Sequence, residues 1–366
     1  MVFVMSNPSA LQIIRDALRI RDQERVWVHS WNHTSELAQE IVKQSQLHGA
    51  VVTLSLSTEG LTTHALKHAP MEAVTTAPNH WYTGAGKADA LVILEGPADP
   101  GIFKSADKGK ALAVTGTVHQ LLGKAFAHRV RTLYVRTTGF TEKAAKAYDI
   151  DYGKWMQEVK QCLAGNQAAM VDLGDRIHTS LKKHREVHIS SSEGTDLRFR
   201  TTGTPRIDDG IIDQADVDSK NMLAQLPAGI ISIPVNESSA EGTVAFNLPR
   251  GYLGDTIEGL RLDFTKGVIS GIRAHKGAKT LERAFRAGTG SKDRLTRLVF
   301  GINPEATTPV GSFTDALIPG SLTLGLGNNT FIGGRSESNL AYEHTLNDAI
   351  VSIGPQAIIM EGKLTI

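Results

Sequence analysis

From Arg25 onward the chain alternates short apolar runs with amphipathic stretches. The segments "RVWVHSW" (25–31), "AVVTLSLS" (50–57), "ADALVILEG" (88–96) and "VRTLYVRTT" (130–138) each fit a β-strand. Between the first two, "NHTSELAQEIVKQSQLHG" offers Thr34 or Ser35 as a helix cap, Leu37, Ile41 and Leu47 as part of an apolar stripe, and Gly49 as a stop. Near-continuous apolar strands separated by helices predict a parallel α/β sheet, with ligand-facing loops beyond the strand C-termini. His29, Trp31 and His33 fall at the end of the first strand, where a cleft would open.

A helical pair is predicted over Thr141 to Lys183. From "HREVHISSSEGTDLRFRTTG" (184–203) the texture changes to short, period-two strands punctuated by glycine, such as "IISIPV", "GTVAFNLP" and "GLRLDFTKGVISGIRAH". Helical patterns interrupt them at 278–288 and 291–298. The expected fold class is therefore an α/β N-terminal domain with a parallel sheet, residues 1–210, plus a C-terminal α+β domain rich in antiparallel strands, residues 211–366. The polar, acid-rich stretch 203–226 contains the connection.

Charge narrows the partners. The 39 basic and 38 acidic side chains give a net charge of +1, which argues against an electrostatic grip on nucleic acid. A single cysteine, Cys162, allows no intrachain disulfide and no cysteine-rich zinc site. No apolar run reaches membrane-spanning length and no signal-peptide pattern is present, so a soluble, cytoplasmic protein is expected. No phosphate loop, nucleophile elbow or H-E-x-x-H occurs.

The order "AYDIDYGKWMQEV" (147–159), "EGTDLRF" (193–199), "LPAGIISIPVNESSAEGTVAFNLP" (226–249), "LRLDFTKGVISGIRA" (260–274), "FGINPEA" (300–306), "PGSLTLGLGNNTFIGG" (319–334) and "SNLAYE" (338–343) resembles the aminopeptidase T family. These are two-domain metallopeptidases, and the iron-dependent 2,5-dihydroxypyridine ring-opening dioxygenases resemble the same scaffold. The resemblance implies metal ligands on the second domain and a homodimer. Its ligand positions fall here on Ile230 after "PAG", on Arg297 before "GINP", on Thr323, and on Ala341 and Glu343 of "AYE". Only Glu343 keeps a ligand's chemistry. Arg297, a permanent cation, repels a divalent metal and can pair with Glu343 instead.

Three readings stay open. The favoured one is an enzyme with a degenerate metal site and no cofactor, hydrolysing a small amide, peptide or nitrogen heterocycle, with Glu343 as catalytic base and Arg297 as catalytic anion holder. The second is a metallohydrolase whose site has moved to His29, His33 or His344, the only case in which a divalent metal is expected. The third is a non-catalytic binding protein. Asn303, Thr323, Tyr342, His344, Trp31 and His33 are the candidate substrate-binding residues, and the "NHWY" cluster (79–82) is a further candidate for a pocket wall. His344 and Asp348 would share a face only on a helix, whereas the following "AIVSIG" reads as strand.

Overall fold

The computed structural model describes residues 7–366. The first unit runs β1 (Arg25–Trp31), α1 (Ser35–Leu47), β2 (Val51–Ser57), α2 (Glu59–His68), α3 (Met71–Thr75), α4 (Asn79–Ala85), β3 (Ala90–Leu94), the long α5 (Lys108–Ala127) and β4 (Arg131–Val135). Then come α6 (Glu142–Ala147), α7 (Tyr152–Leu163) and α8 (Gln167–Lys183), three helices where the pattern predicts two. The remainder is mainly strand: β5 (Glu186–Ser190), β6 (Asp196–Arg200), β7 (Arg206–Asp208), the short α9 (Gln214–Ser219), β8 (Leu223–Leu226), β9 (Ile230–Pro234) and β10 (Glu241–Ala245). It continues through β11 (Arg250–Tyr252), β12 (Asp255–Ile257), β13 (Arg261–Thr265), β14 (Val268–Arg273), α10 (Ala278–Ala287), β15 (Leu295–Gly301) and β16 (Leu322–Gly327). It ends with β17 (Ala341–Leu346), β18 (Ile350–Ile353), β19 (Gln356–Met360) and β20 (Lys363–Leu364).

The first sheet is parallel throughout, in the order β2-β1-β3-β4-β8. Every residue of β3 and β4 is buried; the unbroken apolar run of β3 requires it, and in β4 the Arg131 guanidinium is satisfied by Glu24 and the Leu18 carbonyl. The C-terminal region holds an eight-stranded antiparallel sheet, β14-β13-β10-β6-β5-β18-β19-β20, and a five-stranded one, β17-β16-β15-β9-β7. The expected fold class is what the chain adopts.

Sheet membership crosses residue 210 in both directions. β5 and β6, before it, pair within the eight-stranded sheet, and β8, after it, returns to pair with β4. The helix expected over 291–298 is corrected. Gly290 to Arg294 is irregular, and Leu295–Gly301 forms a fully buried central strand between β16 and β9. Two ladders and burial on both faces outweigh the helical spacing of "DRLTRL".

One helix ties the units together. Gly116 and Gly123 lie two turns apart on one face of α5. A Cβ on Gly116 would sit 2.4 Å from the Asn339 carbonyl oxygen, and one on Gly123 would sit 2.2 Å from Thr330 Oγ1. The missing side chains let α5 lie directly on the loop that leads into β17. His119, on the same face between them, is thereby delivered to the junction, its ring 5.8 Å from that of Phe331.

This packing sets opposite signs for two glycine substitutions. Gly116→Ala should destabilise by about 1–3 kcal/mol, because overpacking against backbone outweighs the gain in helix propensity. Gly60→Ala in α2, where a Cβ meets nothing within 4 Å, should be neutral or stabilising by up to about 1 kcal/mol. Denaturant unfolding of the two variants checks both signs.

Candidate functional site

The five-stranded sheet presents one face to the C-terminal end of the parallel sheet. Residues directly opposite in an antiparallel ladder share a face. The register Glu343↔Gly325↔Arg297 therefore places these three in a row across β17, β16 and β15. Gly325, in the middle, has no side chain, and a Cβ there would lie 2.9 Å from that of Arg297. Across this gap Arg297 Nη1 donates to Glu343 Oε1. Arg297 also lies over the Phe331 ring, its guanidinium carbon 5.2 Å from the centroid.

Ala341, Thr323, Val299, Ser232 and Ile230 continue the same face by alternation. The five positions that the family resemblance marks for metal ligands thus share one surface. Glu343 carries the only carboxylate among them.

Opposite lie the ends of the parallel strands. Glu95 directly follows β3 and Arg136 directly follows β4. Glu95 Oε1 accepts from the Tyr134 hydroxyl at 2.9 Å, and its Oε2 is 3.6 Å from Arg136 Nε. The Arg136 guanidinium carbon stacks 3.9 Å from the Phe313 centroid. Between the two faces is a cavity of about 220 Å³, lined by Glu95, His119, Arg136, Arg250, Glu343 and aromatic side chains that include Phe140 and Trp155. A smaller lobe of about 40 Å³ adjoins it, and His119, Arg136 and Glu343 line both.

These charges set protonation. Burial pushes the Glu343 carboxyl up, but Arg297, followed by Arg136, Arg250 and His119, outweighs it and holds the group at about 2. Burial lowers the His119 pKa below its ordinary value, so this imidazole is neutral at pH 7. Its Nδ1 faces the Thr115 carbonyl at 3.3 Å, which makes Nδ1 the protonated nitrogen and Nε2 the acceptor. Burial also raises Asp208, on the wall of the smaller lobe, to about 8.

The sequence-predicted residues divide. Arg297 and Glu343 meet, and Tyr342 lines the larger lobe. Five others lie outside both linings. Asn303 is consumed by structure: its Nδ2 donates to the Cys162 and Ala228 carbonyls at 2.9 and 2.8 Å, and its Oδ1 accepts from Glu305 N. Thr323 shares a 2.7 Å hydroxyl bond with Thr345. His344 points away from Glu343, bonding the Leu248 carbonyl through Nε2 at 2.8 Å and the Tyr342 hydroxyl through Nδ1. Trp31 packs on Gly96, and His33 bonds the Thr138 carbonyl at 2.9 Å. The 79–82 cluster is outside as well, Trp81 packing on Trp27 and His29. Residues 341–346 are strand, so His344 and Asp348 share no helix face.

Sequence reasoning passed over Glu95, Arg136, His119 and Arg250. The rule that ligands gather beyond parallel-strand C-termini selects the first two. His119 sits in an apolar helix and Arg250 in a hairpin, and no local pattern marks either.

Two measurements test the ion pair. Arg297→Ala or Glu343→Ala should each cost about 3–5 kcal/mol by stranding a buried charge, and Arg297→Met with Glu343→Leu much less. A coupling energy near zero in the double-mutant cycle would show that the two side chains do not support each other. The pH dependence has a definite sign, since the folded Glu343 pKa of about 2 lies below its ordinary 4.5. Its stabilisation is complete above pH 4.5 and is lost as pH falls towards 2. Glu343→Gln should flatten that acid limb in denaturant titrations; an unchanged limb would contradict it.

The fold has close relatives in shape. The wild-type AmpT of Thermus thermophilus superposes with a TM-score of 0.71 at 16% identity, covering 98% of each chain. The 2,5-dihydroxypyridine dioxygenase of Pseudomonas putida KT2440 gives 0.57 at 16% identity, over 95% of this chain and 93% of its own. At such identity these likenesses establish the fold alone. No curated protein matches the sequence.

A family model described as thermophilic metalloprotease (M29) matches residues 9–295. That match corrects the expectation of no cofactor, because a divalent metal is part of this family's chemistry. The side chains at the resemblance's ligand positions do not fit such an ion: one carboxylate already committed to a guanidinium, with isoleucine, threonine and alanine beside it. Among the described residues no other group of three His, Cys, Asp or Glu side chains converges to hold one, so His29, His33 and His344 form no relocated site. No chemical step is therefore derived through a metal. With the model spanning most of its length, the chain belongs to the thermophilic metalloprotease (M29) family.

Proposed function

We propose that the junction cleft hydrolyses a small amide, peptide or nitrogen heterocycle, with His119 moving the proton. The observation that carries this reading is a neutral histidine at the seam of both lobes, beside a carboxylate held ionised by Arg297. A carboxylate with a pKa of about 2 is a weak base, so proton acceptance suits His119 Nε2 better than Glu343. In this scheme water attacks the substrate carbonyl as Nε2 takes its proton. The Glu343 charge stabilises the imidazolium, and the same proton then passes to the departing nitrogen. Arg136 supplies positive charge for the oxygen that becomes negative.

The test is turnover across a panel of amino-acid amides, short peptides, N-acyl amino acids and lactams. His119→Gln should lower kcat by about 100-fold or more while leaving the melting temperature near that of the parent. The rate should rise with pH through the His119 pKa, which lies below 6.5, and then level off. Absence of turnover on every class, or full activity in His119→Gln, would end this reading.

A further inference from the structure

The larger lobe has an uneven balance of charge. Two carboxylates line it, and each faces a guanidinium: Glu343 is bonded by Arg297, and Glu95 lies 3.6 Å from Arg136 Nε. The other guanidinium lining the larger lobe, that of Arg250, makes no hydrogen bond and no ion pair among the described residues. The carboxylate behind the neighbouring loop is spoken for. Asp315 accepts from the Val310 and Gly311 amides at 2.8 and 2.9 Å, so its oxygens are engaged by backbone and it makes no direct ion pair with Arg250.

Arg250 is also held in place. It opens the β11–β12 hairpin, and the next residue, Gly251, lies flat on the Tyr148 ring, where a Cβ would come within 2.4 Å. The Tyr252 ring meets Tyr342 edge-on at 4.8 Å. A half-buried cation without a direct ion pair, on a braced hairpin, therefore faces a cavity that also has an aromatic and aliphatic wall. Phe140 and Trp155 pack there with ring centroids 4.7 Å apart, beside Phe103, Phe313 and Leu253.

We infer that this lobe takes a ligand with an apolar, ring-sized body and one carboxylate, and that Arg250 binds the carboxylate. The planar guanidinium matches a carboxylate with two parallel N–H donors, and the partly desolvated setting strengthens that contact. The aromatic wall receives the body. Combined with the hydrolase reading, on which this last step rests, the substrate class becomes amides with a free carboxylate, such as an N-acyl amino acid.

The test separates binding from turnover. Calorimetric titration of the full-length protein uses 3-phenylpropionate and its neutral isostere 3-phenylpropanamide as probes. The carboxylate should bind at least about tenfold more tightly than the amide, with affinity falling as salt rises. Arg250→Gln should abolish that preference at an unchanged melting temperature, and Arg250→Lys should keep part of it. Equal binding of the two probes, no binding of either, or a preference that survives Arg250→Gln would overturn the inference. N-acetylphenylalanine reads the combined assignment separately: if it binds through Arg250 but is never cleaved, the N-acyl amino acid class is excluded as substrate and the carboxylate site stands.

Discussion

A carboxylate buried where two units of a protein meet must be neutralised, and the junction is organised around that requirement. Glu343 reaches its partner only because Gly325, on the strand between, leaves the space open. Arg297 crosses the gap, and its remaining surface lies over Phe331, the ring that His119 also approaches. Helix α5 can bring His119 there only because glycine stands at 116 and 123. Three glycines, far apart in sequence, thus determine which charged groups share the cavity.

The fold was largely legible because its signals are local. An unbroken apolar run gave β3, the apolar stretch after Arg131 and Thr132 gave β4, and an amphipathic stretch ending at Gly49 gave α1. The exception, 291–298, carries charged residues at helical spacing but is buried by two neighbouring strands, which no local window can register. The site was legible only in part. The Arg297–Glu343 contact could be anticipated because a known ligand arrangement fixed both positions and their chemistry did not match it. Asn303 and Thr323 held comparable positions, yet their hydrogen bonds are spent on a turn and on a cross-strand pair. Arg250 and His119 acquire meaning only when a hairpin and a helix from different parts of the chain converge, and that convergence leaves no local signature.

Family membership and site chemistry point in different directions here. The chain belongs to a metalloprotease family, and the positions that resemblance marks for ligands share one face of a sheet, as coordination would require. Their side chains are an ion pair with isoleucine, threonine and alanine beside it. Activity follows the donors that a site holds rather than the scaffold that carries them. What the cleft offers is several guanidinium groups and a neutral imidazole.

The path of β8 has a consequence for how this molecule comes into being. The parallel sheet gains its last strand only after the chain has left to lay down β5, β6 and β7, two of which belong to the eight-stranded sheet. A ribosome that has made β1 to β4 has therefore made a sheet with an unfilled edge beside β4, a strand buried along its whole length in the finished fold but still without its neighbour. The first unit cannot close before part of the second exists, and the second cannot be severed without reopening the first. Order of synthesis and order of assembly are interleaved, so the two units are partners in a single folding event.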